Sequence, residues 1–255
     1  AARRRKVMGS APNADDSLAT GLVGAYARWR SKSLGQITDA LERRLILELL
    51  EPRVGQSILD VGCGYGVFAV ALAQKGAAVV GVDADSAMIA KARENADRAK
   101  VAVELIEGVA EGLPFPDATF ERVLAVATLC LVDDAARAVG EMARVLAPGG
   151  RAVIGDLGQW SLWAAKRRIS GLRGNPVWRK AHFRTSRDLR RLVEAAGLVV
   201  VETRGSIFYP PLGIAAQLLA PIDHWLGRWT TSGAAFIVLS ATKPATAQRV
   251  ATSPK

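Results

Sequence analysis

The chain has 255 residues, half of them apolar and 23% charged, with 34 Lys and Arg against 24 Asp and Glu for a net charge of +10. That length suits one large domain or two small ones, and the composition excludes a disordered, collagen-like or coiled-coil chain. The longest apolar runs, at 198–201, 213–222 and 233–241, fall short of the roughly 18 to 20 residues of a membrane span. Cys63 and Cys130, even with His182 and His224, match neither a disulfide framework nor a metal-ligand spacing, so the chain reads as reduced, cytoplasmic and without a metal site.

Residues 1–20 carry Arg3, Arg4, Arg5 and Lys6 with no apolar segment behind them, so they read as a flexible basic tail and not as a secretory signal. A single domain is expected over 21–243, and a second tail over 244–255. Ile37, Leu41, Leu45 and Leu49 at helical spacing predict a helix over 37–50, ended by Glu51-Pro52. Strand and helix patterns then alternate: strand 57–61, helix 62–75, strand 78–82, helix 86–98, strand 101–107, strand 122–126, helix 135–146 and strand 151–157. A helix over 186–196 and strands over 198–205 and 234–242 complete the pattern, interrupted by insertions at 158–185 and 206–233. Such alternation predicts an α/β fold with a doubly wound parallel sheet.

The first strand-to-helix joint reads Asp60-Val61-Gly62-Cys63-Gly64-Tyr65-Gly66. Three alternate glycines let the backbone turn tightly and approach a ligand at an open helix N-terminus. No Gly-Lys-Ser/Thr follows, which excludes a phosphate-binding P-loop, and the glycine spacing is not that of the dinucleotide fingerprint. Asp83 ends the next strand, and a carboxylate there suits the two donor hydroxyls of a ribose.

With this loop, the segments Gly-Val-Asp-Ala-Asp at 81–85, Leu-Pro-Phe-Pro-Asp-Ala-Thr-Phe-Glu-Arg-Val at 113–123 and Arg-Val-Leu-Ala-Pro-Gly-Gly at 144–150 resemble the class I S-adenosylmethionine-dependent methyltransferases. Within them, the resemblance is to the group that includes ubiquinone and menaquinone C-methyltransferases. It covers roughly 35–148 and implies a Rossmann-like seven-stranded sheet, its last strand antiparallel, with S-adenosylmethionine as cofactor. It further implies that Asp60, Gly62, Gly64 and Gly66 hold the methionine part, with Cys63 in the same cofactor-binding loop, that Asp83 holds the ribose and Ala84 lies against the adenine, and that the segment from Ala125 to Leu129 runs past the sulfonium. Where relatives carry Gly-Asp-Ala this chain has Gly108-Val109-Ala110. Val109 accepts no hydrogen bond from the adenine amine, which leaves that contact to backbone near Ala110, or to Glu111 or Glu107. The Asn/Asp-Pro-Pro-Tyr of nucleobase amine methyltransferases is missing after strand 122–126, so nucleic acid is not the expected partner.

Methyl transfer from a sulfonium needs alignment, exclusion of water and, for a phenol or ring carbon, removal of a proton. His182, His224 and Tyr26 are the catalytic candidates, with Tyr65 and Tyr209 the remaining tyrosines; Tyr26 falls in a Tyr-Ala-Arg-Trp segment that resembles the family's cofactor-closing lid. Surface or packing roles stand beside the catalytic one for each. Specificity is expected in the two insertions, where Trp160, Trp163, Trp178, Trp225 and Trp229 either wall an apolar pocket or form a small core of their own. Between Trp160 and Ala195 ten basic residues face two acidic ones, a pattern that suits peripheral contact with an anionic membrane. The reading is a methyltransferase of a small, lipophilic or aromatic acceptor. Methylation of RNA or another polyanion, and a non-catalytic binding protein of the same fold, are the alternatives. Oligomeric state is not encoded legibly.

Overall fold

The computed structural model describes Trp29 and residues 31–245. Tyr26, the tail at 1–20 and most of the tail at 244–255 lie outside the described residues. In chain order the elements are α1 (Ser33–Leu50), β1 (Ser57–Val61), α2 (Val67–Gln74), β2 (Ala78–Asp83), α3 (Ser86–Ala99), β3 (Glu104–Glu107), β4 (Phe120–Val126), α4 (Ala135–Val145), β5 (Leu146–Leu157), α5 (Leu162–Leu172), α6 (Pro176–Lys180), α7 (Ser186–Ala195), β6 (Val199–Ser206), α8 (Gly213–Trp229) and β7 (Phe236–Thr242).

The strands form one seven-stranded sheet in the order β3-β2-β1-β4-β5-β7-β6. β1 to β5 run parallel, and β7 is antiparallel to both β5 and β6, as the family resemblance implied. Alternation along the strands divides the apolar residues between two cores. Leu59, Val61, Val123, Ala125, Ala152 and Ile154 pack with α4 and α7 through Met142, Val145, Leu189 and Val193. Ile58, Leu124 and Val153, one residue out of phase, pack with α1 and α2 through Ile46, Leu50, Ala69 and Leu72. A parallel sheet needs both faces covered, and this one is.

Element boundaries depart from the sequence expectations where backbone chemistry overrides the apolar pattern. α2 starts at Val67 and not at residue 62, because Gly62, Gly64 and Gly66 all take positive φ (68°, 54° and 81°) and keep the segment out of the right-handed helix. β5 starts at Leu146, five residues early, because Leu146 pairs with Phe120 across a bulge. The insertions hold helices: α5 and α6 in the first, α8 in the second. Among the described residues, no helix is long and apolar enough to cross a membrane.

Candidate active site

β1 lies between β2 and β4, so the chain leaves it in both directions and opens a crevice at the carboxyl ends of these strands, where open α/β sheets bind ligands. A cleft of about 290 Å³ occurs there, lined by Gly62, Asp83, Ala84, Gly108, Val109, Ala110, Glu111, Ala127, Thr128, Leu131, Val132 and Asp133.

The glycine loop is held from below. The N–H groups of Gly62 and Cys63 both donate to the Val82 carbonyl, at 2.7 and 2.9 Å. Asp83 accepts from the Gly64 N–H at 2.8 Å through one oxygen and from the Asp85 N–H at 3.0 Å through the other. One carboxylate therefore ties the end of β2 to the loop after β1 and to the start of α3. From the other side, Thr128 Oγ1 donates to the Val61 carbonyl at 2.9 Å.

Asp60 is 2% exposed, and its Oδ2 has no hydrogen-bond partner in the protein. Burial, reinforced by the charge of Asp83, pushes its pKa from 3.8 up to about 7, against the pull of the Ala69 N–H at the start of α2. Burial raises Asp83 as well, opposed by the N–H groups it accepts. Two crowded, desolvated carboxylates, one with a free acceptor atom, ask for a ligand that brings positive charge and donor hydroxyls. S-adenosylmethionine offers an ammonium, a sulfonium and a ribose diol, so these residues fit it: Asp60 for the charged methionine end, Asp83 for the diol.

The structure brings Gly62, Asp83, Ala84, Val109 and Ala110 to one cleft and turns the side chains of Cys63 and Ala125 away from it. Cys63 belongs to the loop through its backbone only; its side chain packs against Ile89, Ala92 and Leu105, and burial pushes the thiol up, away from a reactive form. Ala125 is 1% exposed and points into the core with Val61 and Ile154, so the wall after β4 is built by Ala127 and Thr128 instead. Val109 is 52% exposed on the opposite wall. One oxygen of Glu111 accepts from the Asp133 and Asp134 N–H groups at 3.1 and 3.3 Å, so it fastens the cleft rim to the start of α4.

His182 and His224 go to different places. His224 lies on α8, its Nε2 3.7 Å from Glu48 on α1, with Arg204 and Arg228 nearby, and it does not line the cleft. Burial lowers its pKa, with Glu48 opposing. His182 is exposed, and its N–H donates to the Cys130 carbonyl at 2.8 Å, which sets it beside the 127–133 loop of the cleft. The aromatics of the insertions divide as well. Trp163 is buried and donates to the Tyr209 carbonyl at 2.9 Å, and the buried Tyr209 hydroxyl meets Thr38 at 3.1 Å, its pKa raised to about 12 by burial. Those two form core, whereas Trp160, Trp225 and Trp229 stand exposed.

Sequence reasoning missed the support of the 127–133 loop. Arg184 Nη1 donates to the Leu129 carbonyl at 2.8 Å and to Asp156 at 2.9 Å, and Asp156 is 1% exposed. Ala127, at φ 53°, is held in the left-handed region with its N–H on the Gly155 carbonyl at 2.8 Å. No motif marks these residues; only the place of Ala127 and Leu129 just after β4 hints at a site.

The cleft, the glycine loop and the paired carboxylates lie at the carboxyl ends of the strands of a Rossmann-like sheet, and their chemistry fits a nucleoside cofactor. Comparison with known proteins agrees. A family model described as a methyltransferase domain matches residues 59–154. An uncharacterized protein of Mycobacterium tuberculosis is 31% identical over 221 residues, which cover 86% of this chain and 71% of that one. The ubiquinone biosynthesis O-methyltransferase of Azorhizobium caulinodans is 32% identical over 189 residues, 71% of this chain and 74% of that one. Among solved structures, a SAM-dependent methyltransferase of Thermotoga maritima superposes with a TM-score of 0.67 at 24% identity, covering 89% of this chain and 99% of that one. The chain belongs to the S-adenosylmethionine-dependent methyltransferase family.

Proposed function

We propose that this methyltransferase acts on a small, lipophilic or aromatic acceptor. When bound, S-adenosylmethionine supplies an electrophilic methyl on a sulfonium. Asp60 and Asp83 hold the cofactor's cationic and diol groups at the β1–β2 side, and the glycine loop admits it without Cβ interference. The observation that carries the choice of acceptor is the apolar wall that the 127–133 loop gives the cleft, where Leu131 is 49% exposed beside Val132 and Ala127. An apolar acceptor covers that surface and excludes water from the transferring methyl. The kinship with a ubiquinone biosynthesis O-methyltransferase supports the same substrate class. His182, at the rim of the loop that builds this wall, is the candidate proton acceptor for a phenol or an activated ring carbon.

The test is transfer of labelled methyl from S-adenosylmethionine to a panel of quinols, phenols, thiols, polar amines and RNA. Label on a quinol or phenol, with kcat lowered and its pH profile altered in His182→Gln, supports the reading. Label confined to polar amines or RNA overturns it.

A further inference from the structure

α8 is built inside out. Its inward face, packed on α1 and β6, carries small or polar residues: Ala216, Asp223 and Gly227 are buried, and Gly227 lies so close to Gly205 that a Cβ would meet that carbonyl at 2.0 Å. Its outward face carries the large apolar side chains. Ile214, Leu218, Ile222, Trp225 and Trp229, spaced at helical intervals, are 75%, 72%, 54%, 64% and 76% exposed. A water-facing helix ordinarily shows the reverse.

The stripe continues onto α5. Pro210, Pro211 and Leu212, just before α8, share a groove with Leu162, Lys166 and Ile169 of α5 and with Arg173 just after it. α5 follows β5 at the carboxyl end of the parallel strands, the end that also holds the cleft. At the far end of α8, Arg228 and Trp229 share a cleft with Arg187 and Arg190 of α7. Exposed charge in the two insertions has one sign. Residues 158–185 contain seven Lys and Arg and no Asp or Glu, and the sole acid of 207–233 is Asp223. Asp223 is 1% exposed and its oxygens accept from Ser206 Oγ and from the N–H groups of Ile207 and Phe208.

An exposed apolar stripe with tryptophans, rimmed by cations within two insertions that expose no acid, has the chemistry of a helix lying in the headgroup region of an anionic bilayer. We propose that α8, with α5, is a docking surface for an anionic lipid bilayer, to which it presents Leu218, Trp225 and Trp229 with Lys166 and Arg173 against the headgroups. The cations explain selectivity for anionic lipid, and the stripe explains retention that salt alone does not reverse. This surface stands on its own observations and does not depend on which acceptor the cleft takes.

The experiment is co-sedimentation of the full chain with vesicles of phosphatidylcholine alone or mixed with phosphatidylglycerol, read together with tryptophan emission and without any measurement of methyl transfer. The intact chain is expected to partition onto the anionic vesicles with a blue-shifted emission. Leu218→Gln with Trp225→Gln, and separately Lys166→Glu with Arg173→Glu, are expected to weaken partitioning about tenfold. All four side chains are exposed, so unchanged far-UV dichroism and melting temperature establish that the variants fold. Equal recovery with neutral and anionic vesicles, or equal partitioning of the variants, overturns the proposal. A dimer in solution that the Leu218→Gln, Trp225→Gln variant converts to monomer overturns it too, because the stripe then belongs to a second copy of the chain.

Discussion

Thr128 fills the space beneath Gly62: a Cβ built on that glycine would lie 2.4 Å from both Cγ2 and Oγ1 of the threonine, whose hydroxyl is bonded to the Val61 carbonyl one residue before. The loop after β4 thus dictates the glycine of the loop after β1. Gly62→Ala adds this clash to a φ of 68° that alanine resists, so S-adenosylmethionine binding is expected to fall below detection by calorimetry while the sheet still folds. Thr128→Val keeps the volume and removes the hydroxyl's bond to the Val61 carbonyl, at a cost of about 1 kcal/mol in urea denaturation; Thr128→Ser keeps the bond and is expected to cost less. A Gly62→Ala protein with unchanged affinity contradicts the close-packed loop.

Asp60 gives the site a pH dependence of definite sign. Its folded pKa of about 7 stands above the unfolded value near 3.8, so its contribution to the stability of the ligand-free protein is present below the lower value and lost as pH rises through about 7. A cationic cofactor prefers the ionised carboxylate, so affinity moves the other way. Between pH 6 and pH 7, below the titration of the cofactor's own amine, Kd is expected to tighten about fivefold, with proton release. Asp60→Asn should bind weakly and with no slope across this range. A flat profile in the intact protein assigns the cofactor's charged end elsewhere.

Arg184 and Asp156 support the cleft from outside. Removing the guanidinium leaves a buried carboxylate without its charge partner and frees the Leu129 carbonyl. Arg184→Met is therefore expected to destabilise the fold by about 3 kcal/mol at pH 8. Burial already raises the Asp156 pKa and Arg184 opposes it, so the variant's carboxyl takes up a proton more readily and the loss should shrink as pH falls toward 5.5. Equal losses at both values contradict a charge-based role.

His224 is tied to Glu48 among Arg204 and Arg228 and does not line the cleft. His224→Gln is expected to leave kcat and the cofactor Kd unchanged, with a stability change under about 1 kcal/mol. A large drop in kcat in that variant, with the fold intact, places chemistry at the α1–α8 face instead.

The elements that strand alternation and glycine punctuation specify were legible in the sequence: the seven strands, their helices, and the placement of Asp60, Gly62 and Asp83 at strand ends. What escaped depends on three-dimensional proximity that no spacing encodes. Thr128 and Arg184 are unremarkable letters that matter because β4 and β5 end side by side. Cys63 and Ala125 sit inside the right segments, yet the alternation of Cβ direction turns one into the α3 core and the other beneath the sheet. The aromatics of the insertions separated only once α8 was seen to bury its small face, leaving Trp225 and Trp229 outside while Trp163 became core.

The most direct test of the cofactor site is calorimetric titration of the purified chain with S-adenosylmethionine and with its demethylated product, using Asp83→Ala as control. Binding in the micromolar range that Asp83→Ala abolishes is the expected result, because Asp83 pins Gly64 and Asp85 and is the residue proposed to receive the ribose. An intact chain that binds neither compound, or an Asp83→Ala chain that binds both as tightly, contradicts it.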